Sequence, residues 1–171
     1  MNTSFSPLSP FQLTDNVFKL LHNDWMLITA GTPNNFNTMT ASWGGFGVLW
    51  NKPVAFLFIR PTRYTFEFSE KSDLITLSFF NEEHRKALNI CGSCSGKDLD
   101  KVKKAGITPK TTDNGGITFE ETRLFMDCNI LTFSDIDPTH FRIPDIDRHY
   151  PLKDYHRMYV CEIISCYSSI D

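Results

Sequence analysis

The sequence predicts a mainly β domain, folded as an antiparallel barrel with short helices. Three observations carry that prediction. Runs rich in β-branched and aromatic residues recur along the chain and are cut by turn formers, while helical patterns stay brief. Aromatic residues fill 13% of the positions, with 15 phenylalanines, a supply that suits a β core or a stacking pocket. The 171 residues favour one domain spanning 1–171. A chain of that size buries about two-thirds of its unfolded surface, so it needs no staples.

The elements follow in order. A short helical pattern starts at Asp15, with Val17, Phe18, Leu20 and Leu21 on one stripe. Residues 25–30 read as a buried strand, closed by the turn chemistry of Gly31-Thr32-Pro33-Asn34-Asn35. Residues 37–43 are extended, Gly44-Gly45 breaks the run, and 46–50 resume it. Asn51-Lys52-Pro53 turns the chain into a strand over 54–60. Residues 61–70 read as a helix capped by Thr62, and 74–80 as a strand. Helices over 82–90 and 98–105 flank a Gly/Ser-rich loop at 92–96. After a polar linker at 108–116 come strands at 117–124, 128–134 and 155–167. The acidic stretch 135–154 carries no readable motif; it is open to shaping the acceptor pocket or to being a solvated loop.

Seventeen basic against twenty acidic residues leave a net charge of −3. Such a balance argues against general affinity for nucleic acid or anionic membrane, which both reward a basic surface. The most apolar run, 54–59, is far too short to cross a bilayer. The polar start, 1–10, lacks a basic region followed by an apolar one, so no targeting segment is expected. Five cysteines, an odd number, then read as reduced thiols in a cytoplasmic protein.

The most informative local feature is Arg60-Pro61-Thr62-Arg63-Tyr64-Thr65, where a strand ends and a helix begins. Cations there oppose the helix dipole, a placement that makes sense when an anion binds. Thr62 and Thr65 add hydroxyls, and the two arginines add bidentate forks. Surface ion pairing would use the same arginines equally well. A second feature is the small, hydroxylated strand Asn37-Thr38-Met39-Thr40-Ala41-Ser42-Trp43, which lets a flat ligand approach the backbone, with Trp43 and Trp50 as aromatic walls. Tryptophans that simply fill a core fit the same residues. Cys91-Gly92-Ser93-Cys94 invites a zinc or dithiol reading, yet no second ligand pair and no βαβ context accompany it, so no metal is expected. His156, beside Arg157 and Glu162, is open to service as a proton donor, a ligand contact or a satisfied polar residue.

Three linked motifs carry a resemblance: Asn37-x-Met39-Thr40-x-Ser42-Trp43-Gly44, Leu49-Trp50-x-Lys52-Pro53, and Ile59-Arg60-Pro61-x-Arg63-Tyr64-Thr65. With Thr76-Leu77-Ser78-Phe79-Phe80, the run Gly92 to Lys101, and His156-x-Met158-Tyr159-Val160-x-Glu162-Ile163, they resemble the flavin reductase family of FMN-binding split barrels, in its flavoredoxin-like branch. The resemblance implies a six-stranded antiparallel Greek-key barrel and a homodimer with FMN near the subunit interface. It implies that Thr38, Met39, Thr40, Ala41, Ser42 and Trp43 lie along the isoalloxazine. It assigns the ribityl phosphate to Arg60, Thr62, Arg63, Tyr64 and Thr65, with Ser95, Gly96 and Lys97 in a flanking loop. His156 would lie near the flavin face or the nicotinamide. The implied activity is hydride transfer from NAD(P)H to FMN and release of electrons to an acceptor. That acceptor is a small molecule or a redox-partner protein. Cys161 stands where the family often has glycine.

Overall fold

Two long strands near the C-terminus organise the molecule. In a computed structural model, residues 4–170 are described; residues 1–3, part of the polar start, and Asp171 lie outside them. The chain begins with β1 (Phe5–Pro7), followed by α1 (Val17–Lys19), whose cap Asn16 accepts from the Lys19 amide at 3.1 Å. Then come β2 (Met26–Thr32), β3 (Asn35–Ala41), β4 (Gly44–Leu49), β5 (Lys52–Ile59), α2 (Tyr64–Ser69) and β6 (Leu74–Phe80). The helices α3 (Arg85–Ser93) and α4 (Lys101–Ala105) precede β7 (Pro109–Thr111), β8 (Ile117–Phe119), β9 (Thr122–Asp135) and β10 (Arg157–Ser169).

All ladders are antiparallel, and the main sheet runs β3-β2-β6-β9-β10-β5-β4. β10 is long enough to serve two neighbours on one edge: residues 157–162 pair with β5 and 167–169 with β1. Its register against β9 slips after Val160 and again after Ile163. Such bulges bend and twist long strands, which lets the sheet curl around its core. Met26, Ile28, Leu57, Ile59, Ile75, Leu77, Phe79, Met126 and Tyr159 fill that core. A second cluster, Leu27, Phe80, Ala87, Leu88, Cys91, Ile107 and Phe119, lies under α3 and α4 on the opposite face of β2. The alternation of β2 thus serves both clusters, as the two-residue period of a strand requires.

The split-barrel class is as expected, with more strands than six: an eight-stranded sheet and a two-stranded ladder of β7 and β8. Gly44-Gly45 opens β4 instead of breaking it, because a Cβ at Gly44 would sit 2.8 Å from the Phe56 carbonyl across the ladder. The turn into β5 is Trp50-Asn51, both at positive φ (51° and 58°), leaving Lys52-Pro53 inside the strand. That is the two-residue hairpin whose twist matches its strands. Helix α2 starts after Arg63, not Thr62, whose hydroxyl donates to Asp154 Oδ2 at 3.0 Å. The expected linker at 108–116 contains β7, and the expected strands at 117–124 and 128–134 become β8 and one 14-residue β9. Asp127 hid that continuity. It is fully buried, and Thr76, Asn114 and Ser165 donate to its carboxylate.

Candidate functional site

β3 ends the hydrogen-bonded path of the sheet, so no strand among the described residues pairs with its outer edge. Main-chain donors and acceptors along Met39–Ala41 therefore stay available to a ligand. Beside this edge lies a cavity of about 380 Å³, lined on one side by Met39, Thr40, Ala41, Ser42 and Trp43. Phe58, Arg60, Thr62 and Arg63 come from the end of β5 and the turn into α2, and Asp154 and His156 from the start of β10. Residues separated by more than a hundred positions thus meet in one hollow of the size that holds small ligands.

The two arginines do different work. Arg60 directs Nη1 to both Asp154 oxygens at 3.2–3.3 Å and Nη2 to the His149 carbonyl at 2.8 Å, and it lies over the Tyr150 ring. Burial pushes the Asp154 carboxyl up, but hydrogen bonds from Thr62 and Arg60 outweigh it and leave its pKa below the usual range. Arg60 is therefore committed to the chain's own carboxylate. Arg63 makes no ion pair among the described residues; Nη2 donates to the Gly92 carbonyl at 2.9 Å. Burial and then the nearby Arg60 lower its pKa. Lys101, absent from the expected site, is 6% exposed and donates to the carbonyls of Thr38 and Cys91 at 2.8 and 2.9 Å. Its pKa is also lowered, first by burial, with Arg63 adding to the effect. Two cations without carboxylate partners among the described residues, with Arg60 disfavouring the charge on Arg63 and Arg63 that on Lys101, leave a local positive field that an anion would relieve.

The expected phosphate residues gather around this pair. Thr65 is buried and accepts from Asn37 Nδ2 at 2.6 Å, which leaves its hydroxyl hydrogen free to donate. Tyr64 packs beside Lys97, whose ammonium lies 5.0 Å from the ring centre and pairs with Glu67. Gly96 presses against Asn37 and Tyr64 so closely that a Cβ would overlap Asn37 Oδ1. Ser95 shapes the same loop through its bond from the Lys97 amide. None of Tyr64, Thr65, Ser95, Gly96 and Lys97 lines the 380 Å³ cavity: Gly96 lines a separate hollow of about 510 Å³ together with Lys101, and Tyr64 another of about 230 Å³. Trp50 stands apart, 60% exposed at the tip of the β4–β5 hairpin.

Of the two readings of 135–154, the structure favours the one that shapes a pocket: the segment supplies a wall. Its two 3-10 turns, Pro138–His140 and Pro144–His149, lead to Tyr150, which is 4% exposed. His149 meets Trp43 edge-on, and His156 packs among Trp43, Phe58 and Tyr150. Burial, then Arg60, with Arg63 adding, lower the His156 pKa to about 4 against the opposing pull of Asp154, so the ring is neutral at pH 7. Lys101 had a signal in the sequence: it is a cation one residue after the Asp100 cap of α4, the same anomaly that singled out Arg63.

The family model for the flavin reductase like domain matches residues 18–169. The chain belongs to that family. Flavin reductase-like proteins among solved structures share its fold. An FMN-binding domain of flavin reductase-like enzymes from Shewanella baltica superposes with a TM-score of 0.71 at 16% identity, covering 98% of this chain and 78% of its own. A flavoredoxin from Methanosarcina acetivorans gives 0.65 at 20% identity, covering 94% and 76%. An NADH:FAD oxidoreductase from Streptomyces globisporus gives 0.65 at 12%, covering 85% and 75%. No curated protein matches the chain. No helix among the described residues is long and apolar enough to cross a membrane.

Proposed function

We propose that this flavin reductase-like protein is an FMN-dependent oxidoreductase that takes hydride from NADH or NADPH and passes electrons to an acceptor. The observation that carries the reading is the meeting of an unpaired strand edge, β3, with Arg63 and Lys101, two cations that lack carboxylate partners. FMN combines a flat heterocycle, which needs main-chain donors and acceptors, with a phosphate, which needs cations. In this assignment Thr38, Met39, Thr40, Ala41, Ser42 and Trp43 flank the ring. Arg63, with Thr62, Tyr64, Thr65, Ser95, Gly96 and Lys97, forms the phosphate surroundings. Arg60, which lines the same cavity, also holds the wall through Asp154. FMN supplies the hydride and electron chemistry when bound. The chain's part is to fix the ring against β3, to keep one face open, and to stabilise growing negative charge with fixed donors.

The likeness to an NADH:FAD oxidoreductase supports a nicotinamide reductant. The likeness to a flavoredoxin supports a second reading, an electron carrier that exchanges with a redox-partner protein and oxidises NAD(P)H poorly. The assignment includes a cytoplasmic homodimer: β4 forms the other end of the sheet path, and its Val48 (63% exposed) and neighbouring Trp50 offer an apolar edge to a second copy. An absorption spectrum of the purified protein, before and after anaerobic NADH or NADPH, tests the proposal. Rapid bleaching of a flavin spectrum supports the reductase. Bleaching only by dithionite supports the carrier, and a protein that stays colourless with added FMN refutes both.

A further inference from the structure

The wall segment before β10 places one hydroxyl directly behind His156. The Tyr150 oxygen lies 2.9 Å from His156 Nδ1, and that is its sole polar contact among the described residues. Phe141, Tyr155 and the His156 ring pack around Tyr150, and Arg60 lies over its face. Two proton arrangements satisfy the distance. With the ring proton on Nδ1, the phenol hydrogen would have no acceptor, and a donor left unmade in a buried pocket carries its full desolvation cost. With the phenol donating to Nδ1, the phenol hydrogen and Nδ1 satisfy each other and the ring proton sits on Nε2. No buried side-chain nitrogen or oxygen lacks a partner among the described residues, and Nε2 has none in the chain, so Nε2 opens onto the cavity that His156 lines.

The groups facing the ring favour a neutral imidazole. Arg60 and Arg63 come from the end of β5 and the turn after it, Asp154 from the wall segment, and Tyr150 and His149 from the same segment across Trp43. Burial and the two arginines hold the ring unprotonated, and Asp154, already engaged by Arg60 and Thr62, opposes them only in part. We propose that Tyr150 is a positioning residue that locks His156 as the neutral Nε2–H tautomer, so that His156 meets the cavity's ligand as a hydrogen-bond donor and not as an acid. A fixed N–H donor of this kind polarises a carbonyl or ring oxygen and keeps its proton, and the hydrogen bond on the far nitrogen dictates which ring nitrogen carries it. The role of the donor rests on the cavity being a ligand site, as proposed above; the tautomer does not.

Long-range proton–nitrogen NMR on the ¹⁵N-labelled full chain, without and with added FMN, reads the tautomer directly. The expected result is an unprotonated His156 Nδ1 and a protonated Nε2, both unchanged from pH 8 to pH 5. Tyr150→Phe removes only the hydroxyl, and its His156 nitrogens are expected to move toward each other as the two tautomers mix. A protonated Nδ1 in the parent chain, an imidazolium at pH 7, or unmoved resonances in Tyr150→Phe would each overturn the proposal. Should Tyr150→Phe fail to fold, the tautomer and titration of the parent chain still decide. Absence of FMN binding would sink the cofactor reading and leave the tautomer result intact, so the two failures are distinct.

Discussion

Replacing Arg63 with alanine should weaken FMN binding and leave riboflavin binding unchanged. Of its five N–H donors, one bonds the Gly92 carbonyl, and no carboxylate competes for the rest. A charge-assisted hydrogen bond contributes about 1.5–3 kcal/mol. Arg60 offers no replacement, since its fork already holds Asp154 and the His149 carbonyl. Lys101 stays in place in the variant and retains part of the positive field. The expected loss is therefore about 1.5–3 kcal/mol, or roughly ten- to a hundred-fold in Kd. Fluorescence titration of parent and variant with FMN and with riboflavin, which lacks the phosphate, isolates the effect. The FMN loss should also shrink as salt rises, because Arg63 is only partly buried and its charge is partly screened. Equal losses for both flavins, or none for FMN, would refute an anion role for Arg63.

Four further outcomes are expected. Arg60→Ala strands Asp154, whose side chain is 9% exposed, and should cost about 2–3 kcal/mol, read as a fall in Tm of about 5–10 °C. His156 binds its proton in the unfolded chain near pH 6.5 but in the folded chain only at about 4. Its contribution is thus full above pH 6.5 and lost as pH falls toward 4. Stability should drop by about 2 kcal/mol between pH 6.5 and pH 5 in urea unfolding, and His156→Phe should flatten that slope. Gly96→Ala forces Asn37 aside and should cost about 1–3 kcal/mol of stability by chemical denaturation, lowering FMN affinity as well. Tyr159→Phe removes bonds to Glu70 at 2.5 Å and Ser69 at 3.1 Å, and should lower stability by about 1–2 kcal/mol in the same assay.

What the sequence disclosed depended on how local each signal was. Strands such as β5 and β6 announced themselves because nearly every residue is apolar, β-branched or aromatic. The Arg63 cluster was legible because a cation before a helix is locally anomalous. β9 was split in two by Asp127, whose burial is satisfied by Thr76, Asn114 and Ser165, partners 38 to 51 positions away or in another turn. Nothing near Asp127 in sequence reveals that network. The residues of the wall were illegible for the same reason, and its segment stayed open between pocket and solvated loop: Asp154 and Tyr150 acquire meaning only from Arg60 and His156, and Arg60 lies 94 positions before Asp154. A charge-rich stretch without periodicity looks solvated until its partners are known.

The two hydrophobic clusters on opposite faces of β2 give the molecule a seam. The α3–α4 lobe is fastened across it by the smaller cluster and by side-chain bonds, three of which reach the site: Thr40 to the Leu88 carbonyl, Lys101 to that of Thr38, and Arg63 to that of Gly92. Each bond links the lobe to β3 or to the turn before α2, where a ligand of the cavity would also take hold. A cofactor held by β3 and that turn would act as a further fastener beside those bonds. Cofactor binding and the anchoring of the two helices would then be coupled through β3. Amide protons of α3 and α4 would report that coupling, slowing together as the flavin is held for longer.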